Sequence, residues 1–382
     1  MKITRKFFWP QNVYIITTLM SFMGWITPDF GVLRKGFDKP QDLASAAGCW
    51  VLLSIFLCYM ALKIGFIIGG GRNEVESEGA HIFSSDTVYI LVIGLAFLGD
   101  AYSVISIYRS GGMSIILSSF TDGSANDLKK TLYENYSAGF ATLRYTSILA
   151  GALLFARRLC GVRRFLYDIG ALLSLLLCAL ISSRLSLIAA CFGGGYLYMQ
   201  AVGHVRVKIG RIILVGILLF LMLSVLSWTR NKNFYSSRGM GFLSSGVSEI
   251  VTYLGTPFQG QIFSFFDPEY SVKNDLYFKG GVEVSLTTNS AFIDLFSDYG
   301  DYGYVIGIFA LFLSGLAIGL FGHLKRGKFS IVCFPIAYGI AEFWRIFLFD
   351  KGILIYLVAL TMALSWFFGR GKSAIPRKIP MT

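Results

Sequence analysis

The sequence has few charged residues. Only 15% of its 382 residues are Asp, Glu, Lys or Arg, whereas about a quarter of the residues of a soluble domain are charged. Hydrophobic residues make up 55% of the chain, and the mean hydropathy is +0.63. Because so few charges cannot cover a water-exposed surface, the composition excludes an ordinary soluble domain and predicts an integral membrane protein.

Several chemical signatures are also missing. The six cysteines show no paired spacing of a metal or redox motif, and five of them fall in apolar runs. The sequence contains no phosphate-binding glycine loop, zinc-ligand pattern or nucleophile elbow. We therefore expect no disulfide, no metal and no cofactor, and nucleotide-driven or metal-hydrolytic chemistry is disfavoured.

What the sequence does contain is a series of long apolar runs. A membrane-spanning helix needs about 20 such residues, and ten runs qualify. They are 9–27, 43–68, 86–107, 138–156, 165–182, 185–203, 209–228, 290–321, 329–348 and 352–369. The first run lacks a small-residue cleavage site and is predicted to be a span rather than a signal peptide. The prediction is an all-α polytopic protein of about ten helices, with residues 1–382 forming a single transmembrane domain.

The net charge of +12 is explained by orientation, because loops on the cytoplasmic side of a membrane carry excess Lys and Arg. With the N-terminus inside, every inner loop contains Lys or Arg, and all of them except the loop around Arg72 have a net positive charge. These loops hold Lys2/Arg5/Lys6, Arg72, Arg157/Arg158/Arg163/Arg164, Arg206/Lys208/Arg211, Lys325/Arg326/Lys328 and the tail 370–382. We therefore predict a membrane protein with both termini cytoplasmic, and no nucleic-acid partner. The three histidines, His81, His204 and His323, also map to inner loops.

Two outer loops are long, at about 108–137 and 229–289. The second is the large periplasmic loop of the prediction. Within it, residues 243–266 place apolar side chains at steps of three and four, a spacing typical of a helix lying along the membrane surface. Pro257 is expected to kink or interrupt that helix.

Charged residues inside the predicted spans are unevenly distributed. A charge there costs from about 2.5 kcal/mol upward and tends to face a cavity or a partner. Five such residues lie toward the outer ends of their spans: Asp100, Arg144, Arg184, Glu342 and Arg345. As a set they favour a polar cavity that opens outward. For each arginine alone, reaching the headgroups along its own stem is an equal alternative.

The sequence context of these residues suggests their roles. Glu342 and Arg345 are three apart and would neutralise each other on one helical face, which is the structural alternative to a functional role. Arg184 lies among hydroxyl residues at a turn, a setting that suits a phosphate. Arg230 and Arg238 open the outer loop, against the charge trend. An ordinary solvated loop is the alternative for this pair.

Short segments of the loops carry a resemblance. They are the Ser-Ser-Arg184 turn, Arg238-Gly, Tyr253-Leu-Gly-Thr-Pro257, Thr287-Thr-Asn289, and Phe296-Ser-Asp298-Tyr-Gly300-Asp-Tyr-Gly303. Together with the multispan plan and one large late periplasmic loop, they resemble the O-antigen polymerase (Wzy-type) family. Asp301 is an additional acidic residue relative to that family's pattern.

The resemblance implies a GT-C-like fold, a location in the bacterial inner membrane, and transfer of a glycan from undecaprenyl diphosphate to a second lipid-linked repeat unit. The implied partners are the lipid-linked oligosaccharide donor and acceptor, membrane lipid and, as a candidate, a chain-length co-polymerase. A departing diphosphate needs cationic stabilisation more than a proton. The candidate substrate-binding residues are Arg184, Arg230, Arg238, Arg345, Arg144, Tyr253, Asn289 and Tyr299, and the candidate catalytic bases are Asp298, Glu342, Glu249 and Asp294.

Three alternatives stay open. An O-antigen ligase or another lipid-sugar transferase would share the fold and the arginines, although the absence of an outer-loop histidine disfavours a ligase. A flippase or transporter of lipid-linked sugars also has many spans and cationic cavities, and two similar helical halves would favour it. The third alternative is a membrane scaffold without catalytic activity.

Overall fold

The computed structural model describes residues 2–27, 46–71, 85–121, 140–181, 185–206, 209–237, 239–266, 290–323 and 329–368. Throughout this part of the chain the structure is helical, apart from one antiparallel pair of three-residue strands, β1 (Lys2–Thr4) and β2 (His204–Arg206). The predicted all-α fold class is confirmed.

The α-helices of the described part are named in chain order. They are α1 (Pro10–Ile26), α2 (Ala46–Ile68), α3 (Asp86–Thr121), α4 (Thr146–Leu159), α5 (Phe165–Ile181), α6 (Leu185–Val202), α7 (Ile209–Ser236), α8 (Phe242–Phe266), α9 (Ala291–Tyr299), α10 (Gly303–His323), α11 (Cys333–Glu342) and α12 (Gly352–Phe368). Short 3-10 helices of three to six residues precede α1, α4, α10 and α11.

Four stretches among the described residues are long and apolar enough to cross a membrane: Gly48–Ile68, Asp86–Arg109, Leu185–Val202 and Ala291–Gly322. Shorter apolar helices occupy Phe165–Ile181, Ser330–Glu342 and Gly352–Phe368. The helices α3 and α7 continue beyond the predicted span ends, to Thr121 and Ser236. Arg230 therefore belongs to a helix rather than to the start of a loop.

The predicted span 290–321 is not one helix. The chain reverses at Gly300, whose φ is +57°, and α9 folds back on α10. The rings of Phe292 and Phe296 lie 5.0 and 4.6 Å from that of Tyr304, whereas residues 292 and 304 of a continuous helix would be about 18 Å apart. By hydropathy, Ala291–Gly322 is one apolar stretch of 32 residues. The ring contacts show that it folds into a helical hairpin.

The predicted span 329–348 is also interrupted. Helix α11 ends at Glu342, and residues 343–351 are non-helical. Four apolar side chains in this segment are nevertheless buried: Phe343, Trp344, Phe347 and Leu348. Irregular backbone is tolerated at membrane depth only where protein covers it or where it lines a cavity, and the packing of this segment satisfies that condition.

Helix α8 corresponds to the predicted surface helix, and it is continuous through Pro257. It turns a polar face inward: Ser245, Ser248, Thr252, Thr256 and Gln259 are buried, whereas Leu243 and Val247 are exposed. It packs against the C-terminal half of α1 and the N-terminal half of α2, and also against α7 and α9. Ser21 Oγ donates to the Leu254 carbonyl at 2.7 Å, and Gln261 Nε2 donates to Ser54 Oγ at 3.1 Å.

The backbones of α2 and α10 approach each other closely. Each helix carries two glycines four residues apart, Gly65/Gly69 and Gly315/Gly319, and these face each other. A Cβ added to Gly65 would lie 2.2 Å from the Phe312 carbonyl oxygen, and one added to Gly315 would lie 2.4 Å from that of Leu62. Small residues at this spacing let helix backbones approach closely in membranes.

Contacts at the helix ends show which ends lie together. Arg5 donates to the Met199 and Gln200 carbonyls at 3.3 and 2.6 Å, which joins the start of α1 to the end of α6. Thr146 and Tyr356 share a hydrogen bond of 2.6 Å, which joins the starts of α4 and α12. Helices that cross a membrane in alternating directions would place the start of α1 on the same side as the end of α6, and the start of α4 on the same side as the start of α12.

The glycine contacts yield a stability prediction. Gly65→Ala should lower the free energy of unfolding by about 1–3 kcal/mol, since the added methyl group forces backbones apart. Gly94→Ala is the matched control, because a Cβ there meets nothing within 4 Å, and it should be neutral or slightly stabilising. Thermal unfolding of both purified variants in detergent measures the difference. Equal melting temperatures would contradict the close α2–α10 contact.

Candidate functional site

A buried ion pair lies where α11 ends. Arg345 Nε donates to Glu342 Oε2 at 2.7 Å, and the two residues are 6% and 5% exposed. The chain turns at this point, with the amides of Arg345 and Ile346 both donating to the Glu342 carbonyl. The predicted Glu342–Arg345 pair therefore forms, but across the C-terminal turn of the helix and not along one helical face.

Aromatic rings surround this pair. The guanidinium of Arg345 lies 4.9 Å from the centre of the Tyr253 ring, a cation–π distance. The Tyr253 hydroxyl approaches Glu342 Oε2 at 3.5 Å, and the Trp344 ring meets that of Tyr253 edge-on at 5.9 Å. Tyr338, one turn before Glu342, also interacts with its carboxylate. We call Tyr253, Tyr338, Glu342 and Arg345 the Arg345 centre.

The ion pair uses little of the guanidinium's hydrogen-bonding capacity. Arginine has five N–H groups in a planar fork, and within the part of the chain that the structure describes only Nε of Arg345 has a hydrogen-bond acceptor. The carboxylate and the Tyr253 ring fix the plane of the fork. The terminal nitrogens therefore keep the geometry that binds a phosphate or carboxylate through two parallel hydrogen bonds.

Two candidate bases from α9 lie beside the segment 343–351. Asp294 is buried, and its Oδ2 accepts from the Phe347 amide at 3.4 Å. Asp298 is on the exposed side, 4.0 Å from Lys351 Nζ, which also contacts Asp350 at 3.0 Å. Burial lowers the pKa of Lys351, but the hydrogen bond that Lys351 donates to Asp350 and the neighbouring carboxylates raise this pKa above its ordinary value. Asp298 thus lies beside a lasting positive charge.

Glu249 is the fourth candidate base. It lies on α8 one turn before Tyr253 and accepts a hydrogen bond from the hydroxyl of Tyr235, near the end of α7. Because residues four apart share a helical face, Glu249 and Tyr253 present their side chains side by side. The structure thus brings Glu249, Tyr253, Glu342 and Arg345 into one neighbourhood.

Arg144 belongs to a different polar cluster. It is 1% exposed and donates to the Ala141 carbonyl at 2.9 Å and to the Tyr145 hydroxyl at 3.1 Å. Its neighbour Asp100 accepts from Ser174 Oγ at 2.5 Å and from Ser147 Oγ at 3.5 Å. These hydrogen bonds hold Arg144 within its own cluster, and its role in substrate binding stays a prediction.

Most of the remaining candidate substrate-binding residues lie outside the described part of the chain, and one lies within it. Arg184, Arg238 and Asn289 lie outside the described residues, as does the side chain of Arg230. Tyr299 ends α9 next to the reversal at Gly300 and is exposed. The convergence of Arg184, Arg238 and Arg345 on one ligand therefore stays a prediction. Tyr338 was missed by the sequence reasoning, although its position four residues before Glu342 was an available signal.

The ion pair yields an energetic prediction. Glu342→Gln should lower the free energy of unfolding by about 3–5 kcal/mol, because it leaves the Arg345 charge buried and uncompensated. The double variant Glu342→Gln/Arg345→Gln should recover part of that loss. Denaturant unfolding in mixed micelles measures both, and Asp298→Gln serves as an exposed control. If the effects of Glu342→Gln and Arg345→Gln, each measured alone, were additive in the double variant, the two side chains would not be coupled.

Comparison of the chain with known protein families finds no match, and no characterised protein or solved structure is significantly similar to it. The geometry of the Arg345 centre and the sequence around it are therefore the basis for a functional proposal.

Proposed function

We propose that this protein is a membrane glycosyltransferase that polymerises undecaprenyl-diphosphate-linked O-antigen repeat units at the periplasmic face of the bacterial inner membrane. The observation that carries the proposal is the Arg345 centre. It is an arginine fork within an apolar helix bundle, held through one nitrogen by Glu342 and oriented by an aromatic ring. A lipid-linked diphosphate offers the matching chemistry, because its charged group must bind at membrane depth.

The proposed topology has ten spans, cytoplasmic termini and a GT-C-like arrangement. In this orientation the end of α1 and the starts of α2, α10 and α12 face the periplasm. Residues near these ends surround α8, since Trp25 and Val51 pack with Phe258 and Ile262. The Arg345 centre then lies close to the periplasmic surface, where lipid-linked repeat units are joined.

The proposed chemistry assigns charge stabilisation to the arginine. As the bond between the anomeric carbon and the diphosphate oxygen breaks, the departing diphosphate gains negative charge, and the Arg345 fork stabilises it. Glu342 acts as a positioning residue, because its carboxylate already accepts from Arg345. Arg184, Arg230 and Arg238 are proposed to contribute further positive charge.

The other half of the reaction is attack by the acceptor. A hydroxyl oxygen of the terminal sugar on the second lipid forms the new bond to the anomeric carbon, and its proton passes to a carboxylate. Asp298 is the proposed base, because Glu342, Asp294 and Glu249 each already accept a hydrogen bond from the protein. A single displacement without a covalent enzyme intermediate inverts the anomeric configuration.

The function is tested first by gene deletion. The deletion strain should carry lipid core capped by a single repeat unit, because ligation continues while chain growth stops. The banding of lipopolysaccharide on a gel is the readout. Loss of even the one-unit band would point to a ligase or flippase, and an unchanged ladder would remove the proposal.

Complementation then tests the site. Arg345→Lys keeps the charge but loses the planar fork, and losing a charge-assisted hydrogen bond of about 1.5–3 kcal/mol should slow polymerisation about 10- to 150-fold. Arg163→Lys is the control, since Arg163 is exposed and has no ion pair among the described residues. Arg157 does not serve, because it is buried against Asp86. Full-length chains from Arg345→Ala at normal abundance would refute the site.

The topology is tested by reporter fusions. Fusions ending at Arg163 and at Tyr302 should report opposite sides of the membrane, cytoplasmic and periplasmic respectively. Both positions lie in described turns between helices. If the two fusions reported the same side, the proposed orientation would be wrong, and the periplasmic placement of the Arg345 centre would be wrong with it.

A further inference from the structure

The turn between α4 and α5 concentrates positive charge. It holds Arg157, Arg158, Arg163 and Arg164, against which the structure places two carboxylates. Arg157 and Arg164 share Asp86, with Arg164 NH2 at 2.7 Å from its Oδ2, and Arg158 Nε lies 2.7 Å from Asp168 Oδ2. Arg163 makes no ion pair within the described ranges. The turn therefore carries more guanidinium groups than the carboxylates beside it can neutralise.

The ion pairs make this turn a fixed platform. Arg157 is 1% exposed, and its guanidinium lies 4.6 Å from the centre of the Tyr89 ring. Asp168 is buried and also accepts from the Arg164 amide at 3.1 Å and from the Tyr89 hydroxyl at 3.1 Å. Arg157 therefore joins α4 to α3, and Asp168 joins α5 to both helices, while Arg163 and Arg164 remain at the surface.

An apolar stripe on α5 begins at Phe165, directly after Arg164. Phe165, Leu166, Ile169, Leu172 and Leu173 are all exposed, and their spacing of three and four residues puts them on one side of α5. In an integral membrane protein such a face meets acyl chains. The arginines and the stripe are thus contiguous on the surface of the same helix, at a distance of one turn or less.

We propose that this surface is a binding site for an anionic glycerophospholipid. The phosphate binds Arg163 and Arg164, and an acyl chain lies along the exposed stripe of α5. Charge complementarity selects an anionic headgroup, since the turn has unneutralised positive charge, and the adjoining stripe selects a lipid over a soluble phosphate. The site is separate from the Arg345 centre, and its existence does not depend on glycosyl transfer.

Native mass spectrometry of the full-length protein in detergent tests the site by titration with phosphatidylglycerol and with phosphatidylcholine. Wild type should bind phosphatidylglycerol more tightly. Arg163→Gln should weaken that binding about fivefold, the effect of about 1 kcal/mol per basic residue at an anionic headgroup, and leave phosphatidylcholine unaffected. Leu166→Asn should weaken the binding of both lipids, because the stripe is common to them.

Arg109→Gln is the matched control, since Arg109 is an exposed arginine with no ion pair among the described residues, at the other end of the apolar part of α3. It should leave both affinities unchanged. The proposal is overturned if wild type binds the two lipids equally, or if Arg109→Gln and Arg163→Gln weaken phosphatidylglycerol equally. Displacement of phosphatidylglycerol by an equimolar amount of glycerol 3-phosphate would also overturn it, because the acyl chain would then contribute nothing.

Discussion

The compensation of the Arg345 charge is the constraint on which the candidate site depends. A guanidinium never loses its proton in a protein, so an arginine buried in an apolar bundle needs a partner. Glu342 provides it at 2.7 Å. The same residue ends α11, and its carbonyl accepts the two amides that turn the chain. The helix terminus and the charge pair are thus one structural feature, and the non-helical segment 343–351 follows from it.

The non-helical segment 343–351 must be packed against other parts of the protein, because unpaired backbone groups are costly away from water. Elements from distant parts of the chain provide this packing. The Phe343 ring meets those of Tyr14 from α1 and Phe292 from α9, at 6.2 and 5.6 Å. The reversal at Gly300 makes this packing accessible, because it returns α9 alongside α10. The polar inward face of α8 completes the surroundings and brings Tyr253 to Arg345.

The sequence predicted those features that depend on local composition and spacing. Apolar runs located α1, α2, α5, α6 and α12 to within a few residues at both ends, and the three-residue spacing of Glu342 and Arg345 indicated their pairing. Hydropathy averaged over the length of a span did not reveal the break at Glu342 or the reversal at Gly300, because apolar stretches lie on both sides of each point. The contact between Tyr253 and Glu342 spans 89 residues, and no local pattern encodes it. The facing glycine pairs of α2 and α10 were a readable signal of close packing.

The most direct test of the account uses purified protein in lipid vesicles supplied with a synthetic undecaprenyl-diphosphate-linked repeat unit. Mass spectrometry of the products follows the bonds that form and break. The account predicts a lipid-linked glycan of two or more units together with released undecaprenyl diphosphate, and no such product from the Arg345→Ala variant. Substrate that crosses the bilayer with every covalent bond intact would contradict glycosyl transfer and indicate a transporter.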